Sequence, residues 1–368
     1  MSRRPLSAVV LAAGEGTRMK SERPKPLHVL CGRPMVLHVI DALAELDIDR
    51  VVVVVGHSAE RVTKTLLESA PPGLAIEFVE QRVQRGTGDA VSVALTAFPD
   101  NESDDEDILV LPGDTPLVRS PTLEGLVEGH RYAEAAASVL TARVADATGY
   151  GRVVRDKREN VARIVEQADA SDEELEIDEV NTSIYCFRRS VLAPALRRLS
   201  PENAQGEYYL TDVVEVLHDA GYPVVSMEVG DPMEVAGVND RAQLAVAEAE
   251  LRERTNARWM RRGVTMIDPG RTYIDATVRL SPDVTLFPGA ILQGTTSIGA
   301  GAQIGPDTRL VDCLVGDGAI VEQTVARQAE IGVDARVGPF ASLAPGSHVK
   351  PGTVTGPFFA ADAHQEGS

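Results

Sequence analysis

Residues 7–19 read SAVVLAAGEGTRM: an apolar run from Ser7 to Ala13 that stops at Gly14-Glu15-Gly16 and gives way to Thr17, Arg18 and Met19. A β-prone run that meets glycine this abruptly is the opening of a strand–turn–helix unit. The same alternation recurs downstream. Val36, Val39, Ile40 and Leu43 stand at helical spacing; Val51 to Val55 is a strand, followed by a helix opening near Ser58; Ile108 to Leu111 is a strand, followed by Leu123, Leu126 and Val127. This is the pattern of an α/β domain with a mostly parallel sheet and helices on both faces, and it places ligands at the carboxyl ends of strands.

A second architecture begins after the alanine-, glutamate- and arginine-rich stretch from Ala242 to Met260, in which Leu244, Ala247 and Leu251 are spaced for a linking helix. From Ile274 an aliphatic residue returns every six positions, at Leu280, Leu286, Leu292, Ile298, Ile304 and Leu310. The register slips, resumes at Val315 and Val321, and again at Ile331, Val337, Leu343 and Val349. A six-residue period with glycine turns predicts short strands stacked into a parallel β-helix, because a sandwich would need alternation at period two. The expected boundaries are a first domain over 1–240, the linking helix over 241–262, the β-helix over 263–356 and a flexible tail over 357–368.

With 368 residues, 43% of them hydrophobic, the chain is long enough for more than one core. Its net charge of −19 disfavours nucleic acid and anionic membrane surfaces as partners, so any phosphate site must be locally basic. No apolar run reaches the ~20 residues that span a bilayer, and Ser7 to Ala13 is too short for a signal peptide, which predicts a cytoplasmic protein. Cys31, Cys186 and Cys313 are far apart and have no metal-ligand spacing, so they are expected to be reduced structural thiols. The acidic run from Asp100 to Asp107 is expected to be a solvated loop.

The loop Leu11-Ala12-Ala13-Gly14-Glu15-Gly16-Thr17-Arg18-Met19, followed by Pro24-Lys25-Pro26-Leu27, is suited to phosphate. Small residues let the backbone approach a nucleotide, and Arg18 and Lys25 supply positive charge. The glycine spacing alone fits neither a dinucleotide fingerprint nor a P-loop. Further motifs follow in order: Gln84-Arg85-Gly86-Thr87-Gly88, Gly113-Asp114-Thr115-Pro116, Gly149-Tyr150-Gly151-Arg152, Ile164-Val165-Glu166, Asn181-Thr182, Asn203 to Asp212, and Gly237 to Arg241. Taken together, the chain resembles the bifunctional N-acetylglucosamine-1-phosphate uridylyltransferase/glucosamine-1-phosphate acetyltransferase family. The resemblance implies a Rossmann-like nucleotidyltransferase domain followed by a short left-handed β-helix of hexapeptide repeats.

It also implies roles. Leu11, Ala12, Ala13 and Gly14 would line the nucleotide, Gln81, Gly86 and Thr87 would contact the base, and Arg18 and Lys25 would hold phosphates. Gly151, Glu166 and Asn181 would face the sugar and ribose. Asp114, beside Gly113, and Asn239 would hold Mg2+. One carboxylate and one amide oxygen make an adequate magnesium site, because that ion keeps waters and takes phosphate oxygens. The implied reaction is transfer of UMP from UTP to N-acetylglucosamine 1-phosphate, giving UDP-N-acetylglucosamine for cell-wall precursor biosynthesis. Each residue also has a plainer reading alone: Asp114 as a turn former, Asn239 as a helix N-cap, Glu166 as a solvated strand end. His28, His38 and His57 have no ligand spacing and are expected to be structural.

The chain departs from the family pattern at four places. Pro26 stands for an aliphatic residue, Arg85 for leucine, Asp89 for histidine and Ser183 for glycine. Two alternatives therefore stay open: a sugar-1-phosphate nucleotidyltransferase with another base or sugar, and a non-catalytic paralogue that binds nucleotide sugar. In the family the β-helix carries acetyl transfer at trimer interfaces. Here His348, in a turn, and His364, in a polar tail, match no family motif, so no acetyltransferase activity is expected. A homotrimer through the β-helix is.

Overall fold

The computed structural model describes residues 4–56, 58–98 and 106–362. His57, His364 and the part of the acidic run from Asp100 to Asp105 lie outside the described residues. The chain forms two compact units, one made of Met1–His28 with Pro34–Gln243 and the other of Val29–Arg33 with Leu244–Ser368.

The first unit is built on a nine-stranded sheet. Its main path runs Val224–Glu228, Ala137–Arg143, Glu179–Arg188, Asp107–Pro112, Leu6–Ala12, Arg50–Val55 and Ile76–Glu80. Every pairing along it is parallel except those of Glu179–Arg188, which runs antiparallel between two neighbours. The period-two alternation divides the core in two. Ala8, Val10, Ala12, Val51, Val53 and Val55 pack on one face, under helices Met35–Ala44, Ala59–Ser69 and Ser120–Tyr132. Val9, Val52, Val54, Ile108 and Val110 pack on the other, under Thr87–Leu95, Arg189–Leu196 and Asp212–Asp219. Leu6–Ala12 lies between the strand that follows it in this sheet, Arg50–Val55, and the later Asp107–Pro112. The chain therefore reverses its direction of travel across the sheet beside the first strand, which opens a crevice at that strand's carboxyl end.

The acidic run does not end as a solvated loop. Glu106 and Asp107 are buried. Arg189 pairs with Glu106 at 3.1 Å, while Arg4 and Arg131 pair with Asp107 at 3.2 and 2.7 Å and His130 Nε2 lies 3.5 Å from it. Burial pushes the Asp107 carboxyl up, but hydrogen bonds from His130 and Arg131 and the charge of Arg4 outweigh it and hold the group below the usual range. The partners come from distant segments, which is why the charge run alone gave no sign of them.

The second unit contains most of helix Arg241–Arg261, whose buried side includes Ala247, Thr255, Asn256 and Trp259. Beyond it, short strands stack into three parallel sheets of five, six and five members, a parallel β-helix. Every aliphatic residue of the six-residue series is buried. The register slip is a change of step length. The step shortens to five residues between Leu310 and Val315, between Val321 and Ala326, and between Ala326 and Ile331. Each short step contains a left-handed residue, Asp312 at φ 53°, Gln323 at φ 42° and Gln328 at φ 44°, as do six-residue steps at Asp283, Asp307 and Asp334. Ala326, fully buried, is the rung that a search for larger aliphatics misses. Buried corner hydroxyls find carbonyl acceptors, as Thr296 does with Gln293 O at 2.7 Å and Thr324 with Glu322 O at 2.7 Å.

Two expectations are corrected. The segment from 357 is not all tail, because Ala360–Ala361 pairs with Ser342–Leu343 and buries Ala361 as one more rung. His348 opens a strand rather than sitting in a turn, with its ring exposed and its Nδ1 3.2 Å from Glu330. The three cysteines are free and buried.

Candidate active site

The crevice at the switch point is a cleft of about 390 Å³. Its floor follows from strand geometry. Leu11, Ala12, Ala13 and Gly14 leave the first strand beside Pro112, Gly113 and Asp114 at the end of the neighbouring one, and Gly113 N donates to Leu11 O at 2.8 Å. Side-chain bulk is excluded here: a Cβ on Gly113 would lie 3.2 Å from Leu11 O, and one on Gly56 would lie 2.5 Å from Ala13 O.

One wall is the loop that leads into helix Thr87–Leu95. Gly86 stands at φ 104°, and a Cβ there would lie 2.5 Å from Tyr208 O, so only glycine fits. Tyr208 N donates to Arg85 O at 2.7 Å, Gly88 N to Tyr208 O at 2.8 Å, and Leu210 N to Thr87 Oγ1 at 3.0 Å. These bonds tie the Gln84–Gly88 motif to the Asn203–Asp212 motif. Gln81 is buried at the cleft edge, and its Nε2 donates to Gly86 O at 3.1 Å and Asp89 Oδ2 at 2.8 Å.

The opposite wall comes from a break in the antiparallel strand. The register of Glu179–Arg188 against Ala137–Arg143 shifts between Asn181 and Tyr185, and the bulge brings Asn181, Thr182 and Ser183 to the cleft. Ser183 sits at φ 61°, which explains why glycine suits this position in the family pattern. Asn181 is anchored by Nδ2 to Tyr185 Oη at 2.8 Å and by Oδ1 accepting from Ser183 N at 3.1 Å.

At the mouth, three segments far apart in sequence converge on one ammonium group. Lys25 Nζ pairs with Asp114 Oδ2 and donates to Asn239 Oδ1 at 2.7 Å, and Arg18 reaches the same Asn239 oxygen at 3.0 Å. Asn239 is held in turn, its N donating to Gln243 Oε1 at 2.7 Å. A carboxylate and an amide oxygen that already share one cation are hard donors of the kind magnesium takes, with phosphate and water oxygens completing the shell. Among the described residues no cluster of three or more His, Cys, Asp or Glu is arranged to hold a metal unaided. The pair therefore fits an ion that arrives with phosphate rather than a resident one.

Of the residues singled out from sequence, Leu11, Ala12, Ala13, Gly14, Lys25, Gln81, Gly86, Thr87, Gly113, Asp114, Asn181 and Asn239 line this cleft. Arg18 adjoins it through Asn239. Gly151 and Glu166 are not among the lining residues but bond to neighbouring segments. Gly151 O accepts from Asn181 N at 2.9 Å, a Cβ there would meet Ile164 Cγ2 at 3.1 Å, and Glu166 accepts from Thr211 Oγ1 at 3.1 Å. Burial raises the Glu166 carboxyl, and nearby Asp169 and Glu207 add to the rise. Burial, with Glu215, Glu166 and Asp169, pushes Asp212 up to about 6.

Sequence reasoning passed over Gln84, whose Nε2 donates to Ala13 O at 2.6 Å, and Tyr150, Thr115 and Glu207, which also line the cleft. All four stand inside quoted motifs, but only the fold shows which way their side chains face.

The nucleotidyl transferase family profile matches residues 7–233. Among curated proteins, the chain is 46% identical over 347 residues to the bifunctional protein GlmU of Streptomyces avermitilis, covering 94% of this chain and 71% of that one. It is 45% identical over 353 residues to the Brevibacillus brevis protein of the same name, covering 96% and 75%, and 48% identical over 330 residues to that of Thermobifida fusca, covering 89% and 68%. Among solved structures, HddC from Yersinia pseudotuberculosis aligns with a TM-score of 0.50 at 16% identity, covering 67% of this chain and 99% of that one, which is a likeness of fold.

Proposed function

Because the chain belongs to the nucleotidyl transferase family and, within it, with the bifunctional GlmU proteins, we propose that it transfers UMP from UTP to N-acetylglucosamine 1-phosphate, releasing pyrophosphate. The observation that carries this reading is the convergence of Lys25, Asp114, Asn239 and Arg18 at the carboxyl ends of the two central strands. In a chain of net charge −19, two cations beside a backbone loop stripped of bulk are suited to a triphosphate.

Lys25 and Arg18 hold phosphate oxygens, and the Leu11–Gly14 backbone accommodates the nucleotide where a Cβ on Gly113 or Gly56 would intrude. Gln81, Gly86 and Thr87 lie along the wall that takes the base. Asn181, whose backbone N donates to Gly151 O, lies on the wall that takes the sugar and ribose. Asp114 and Asn239 would hold magnesium, which supplies charge neutralisation at the reacting phosphate. Lys25, which pairs with Asp114 here, stands within the same cleft lining and is placed to hold phosphate. The acceptor's second phosphate pKa is near ~6, so it attacks as an anion and needs no side-chain base.

Of the departures, Pro26 and Ser183 line the cleft and Arg85 and Asp89 flank Gly86 and Thr87, and they favour another base or sugar as the second reading. A silent binder is less well supported, since binding alone has little use for the Asp114–Asn239 pair beside Lys25. The test is pyrophosphate release with magnesium, N-acetylglucosamine 1-phosphate and each of UTP, TTP, GTP, CTP and ATP. Selective turnover of UTP is expected; turnover of another nucleotide moves the substrate, and no turnover by folded protein sinks the enzyme reading.

For the β-helix unit, the proposal is a homotrimer and no acetyl transfer by these 368 residues. The second point rests on His348 and His364 standing in no motif of the family's acetyl-transfer site. A monomeric mass in light scattering, or acetylation of glucosamine 1-phosphate from acetyl-CoA, would overturn these two statements in turn. No described helix is long and apolar enough to cross a membrane, which accords with a cytoplasmic site of action.

A further inference from the structure

We infer that Asp89 is a positioning residue for base selection: it pins the Gln81 side-chain amide so that only a carbonyl oxygen remains to meet the base. This rests on the reading of the cleft as a nucleotide site.

The argument is one of hydrogen-bond inventory. A glutamine amide has two N–H donors and one oxygen that only accepts. Gln81 Nε2 lies 3.1 Å from Gly86 O and 2.8 Å from Asp89 Oδ2. A backbone carbonyl and a carboxylate can only accept, so both require the nitrogen of Gln81 and reject its oxygen. The amide orientation is therefore fixed by chemistry, and both N–H groups are used within the protein. Gln81 is 5% exposed and lines the cleft, and its backbone N is taken by Val55 O at 2.8 Å. Its Oε1 has no protein partner among the described residues, which leaves that oxygen free to accept from a ligand in the cleft.

A base with an imino N–H beside its carbonyl supplies a donor for it, as uracil, thymine and guanine do. Cytosine and the matching edge of adenine present a bare ring nitrogen there, which would set two acceptors against each other. Asp89 belongs to the first turn of helix Thr87–Leu95, while Gly86, at φ 104°, caps that helix. The loop geometry that shapes the wall thus also delivers both acceptors to Gln81. Histidine, common at this position in the family pattern, is not restricted to accepting, so the departure at Asp89 gives the second Gln81 N–H a partner that only accepts, reinforcing the polarity Gly86 O already sets.

A plainer role for Asp89 is stabilisation of its own helix N-terminus. The experiment separates the two by a ratio. Pyrophosphate release is measured for wild type, Asp89→Ala and Asp89→Asn with UTP and with CTP, alongside thermal melts. In Asp89→Ala, the kcat/KM ratio of UTP over CTP falls by roughly tenfold, about the worth of one hydrogen bond to a buried group, chiefly through a higher KM for UTP. Asp89→Asn, which keeps an acceptor oxygen, retains most of the ratio. A helix-stabilising role alone would lower the melting temperature, or kcat/KM for both nucleotides, and leave the ratio unchanged; that result overturns the inference. Failure of the uridine assignment is distinguishable. Wild type that prefers TTP or GTP changes the substrate but keeps the Asp89 effect, read as the ratio of that nucleotide over CTP. Wild type that prefers CTP or ATP overturns the inference itself.

Discussion

The two units use left-handed backbone for different ends. In the β-helix, Asp283, Asp307, Asp312, Gln323, Gln328 and Asp334 have positive φ, and they lie in the turns between short strands. In the sheet unit, Gly86 and Ser183 have positive φ, and both shape walls of the cleft. The first set serves a repeat whose rungs do one job many times. The second serves a site in which each exception is used once. A change in the repeat should therefore cost stability and leave chemistry alone, and a change in the cleft should reach the chemistry.

The largest expected effect breaks chemistry only. Asp114→Ala should lower the rate of pyrophosphate release at least about a hundredfold, the scale of losing one electrostatic contact to the reacting group, with the melting temperature little changed. Next comes Asp107→Ala, which leaves Arg4, Arg131 and His130 without their shared carboxylate. It should cost about 3 kcal/mol in urea denaturation of the sheet unit. Leu310→Ala, at a fully buried rung, should cost about 2–4 kcal/mol in the β-helix and leave kcat/KM within about twofold. If that variant abolished turnover with the fold intact, the proposed division of labour would be wrong.

A pH effect is smaller and has a definite sign. Asp212 is pushed up to about 6, above the ~3.9 of an unfolded aspartate, so between those values the folded protein binds more protons than the unfolded one. Stability should therefore rise as pH falls from 7 toward 5, and Asp212→Asn should flatten that slope in denaturation midpoints. Asp107 acts oppositely and lower on the scale: its depressed carboxyl contributes stability above the unfolded value, and this is lost as pH falls through the folded one. Smallest is Ser183→Gly, which relieves a left-handed serine and should stabilise the sheet unit by up to about 1 kcal/mol.

The same contrast explains what could be read without coordinates. The β-helix was legible from period alone, since each rung repeats one local rule, while the five-residue steps, Ala326 and the rung at Ala361 escaped it. The sheet was legible from strand-length apolar runs such as Val51 to Val55. The cleft was not, because its parts come from separate segments. Nothing local to Asn239 says that Lys25, 214 residues away, will reach it. The motifs marked which segments mattered, and the fold alone showed that Gln84 and Tyr150 face inward while Gly151 and Glu166 are not in the lining. The run ending at Asp107 misled for the same reason, its three cationic partners being remote in sequence.

The central claim is that Asp114 and Asn239 act together on one cation beside the phosphates, and a double-mutant cycle on pyrophosphate release tests it most directly. If the two oxygens form one unit, Asp114→Ala/Asn239→Ala will be hardly slower than Asp114→Ala alone. Losses that multiply, each variant contributing its full factor, would contradict it and assign the two residues to separate tasks.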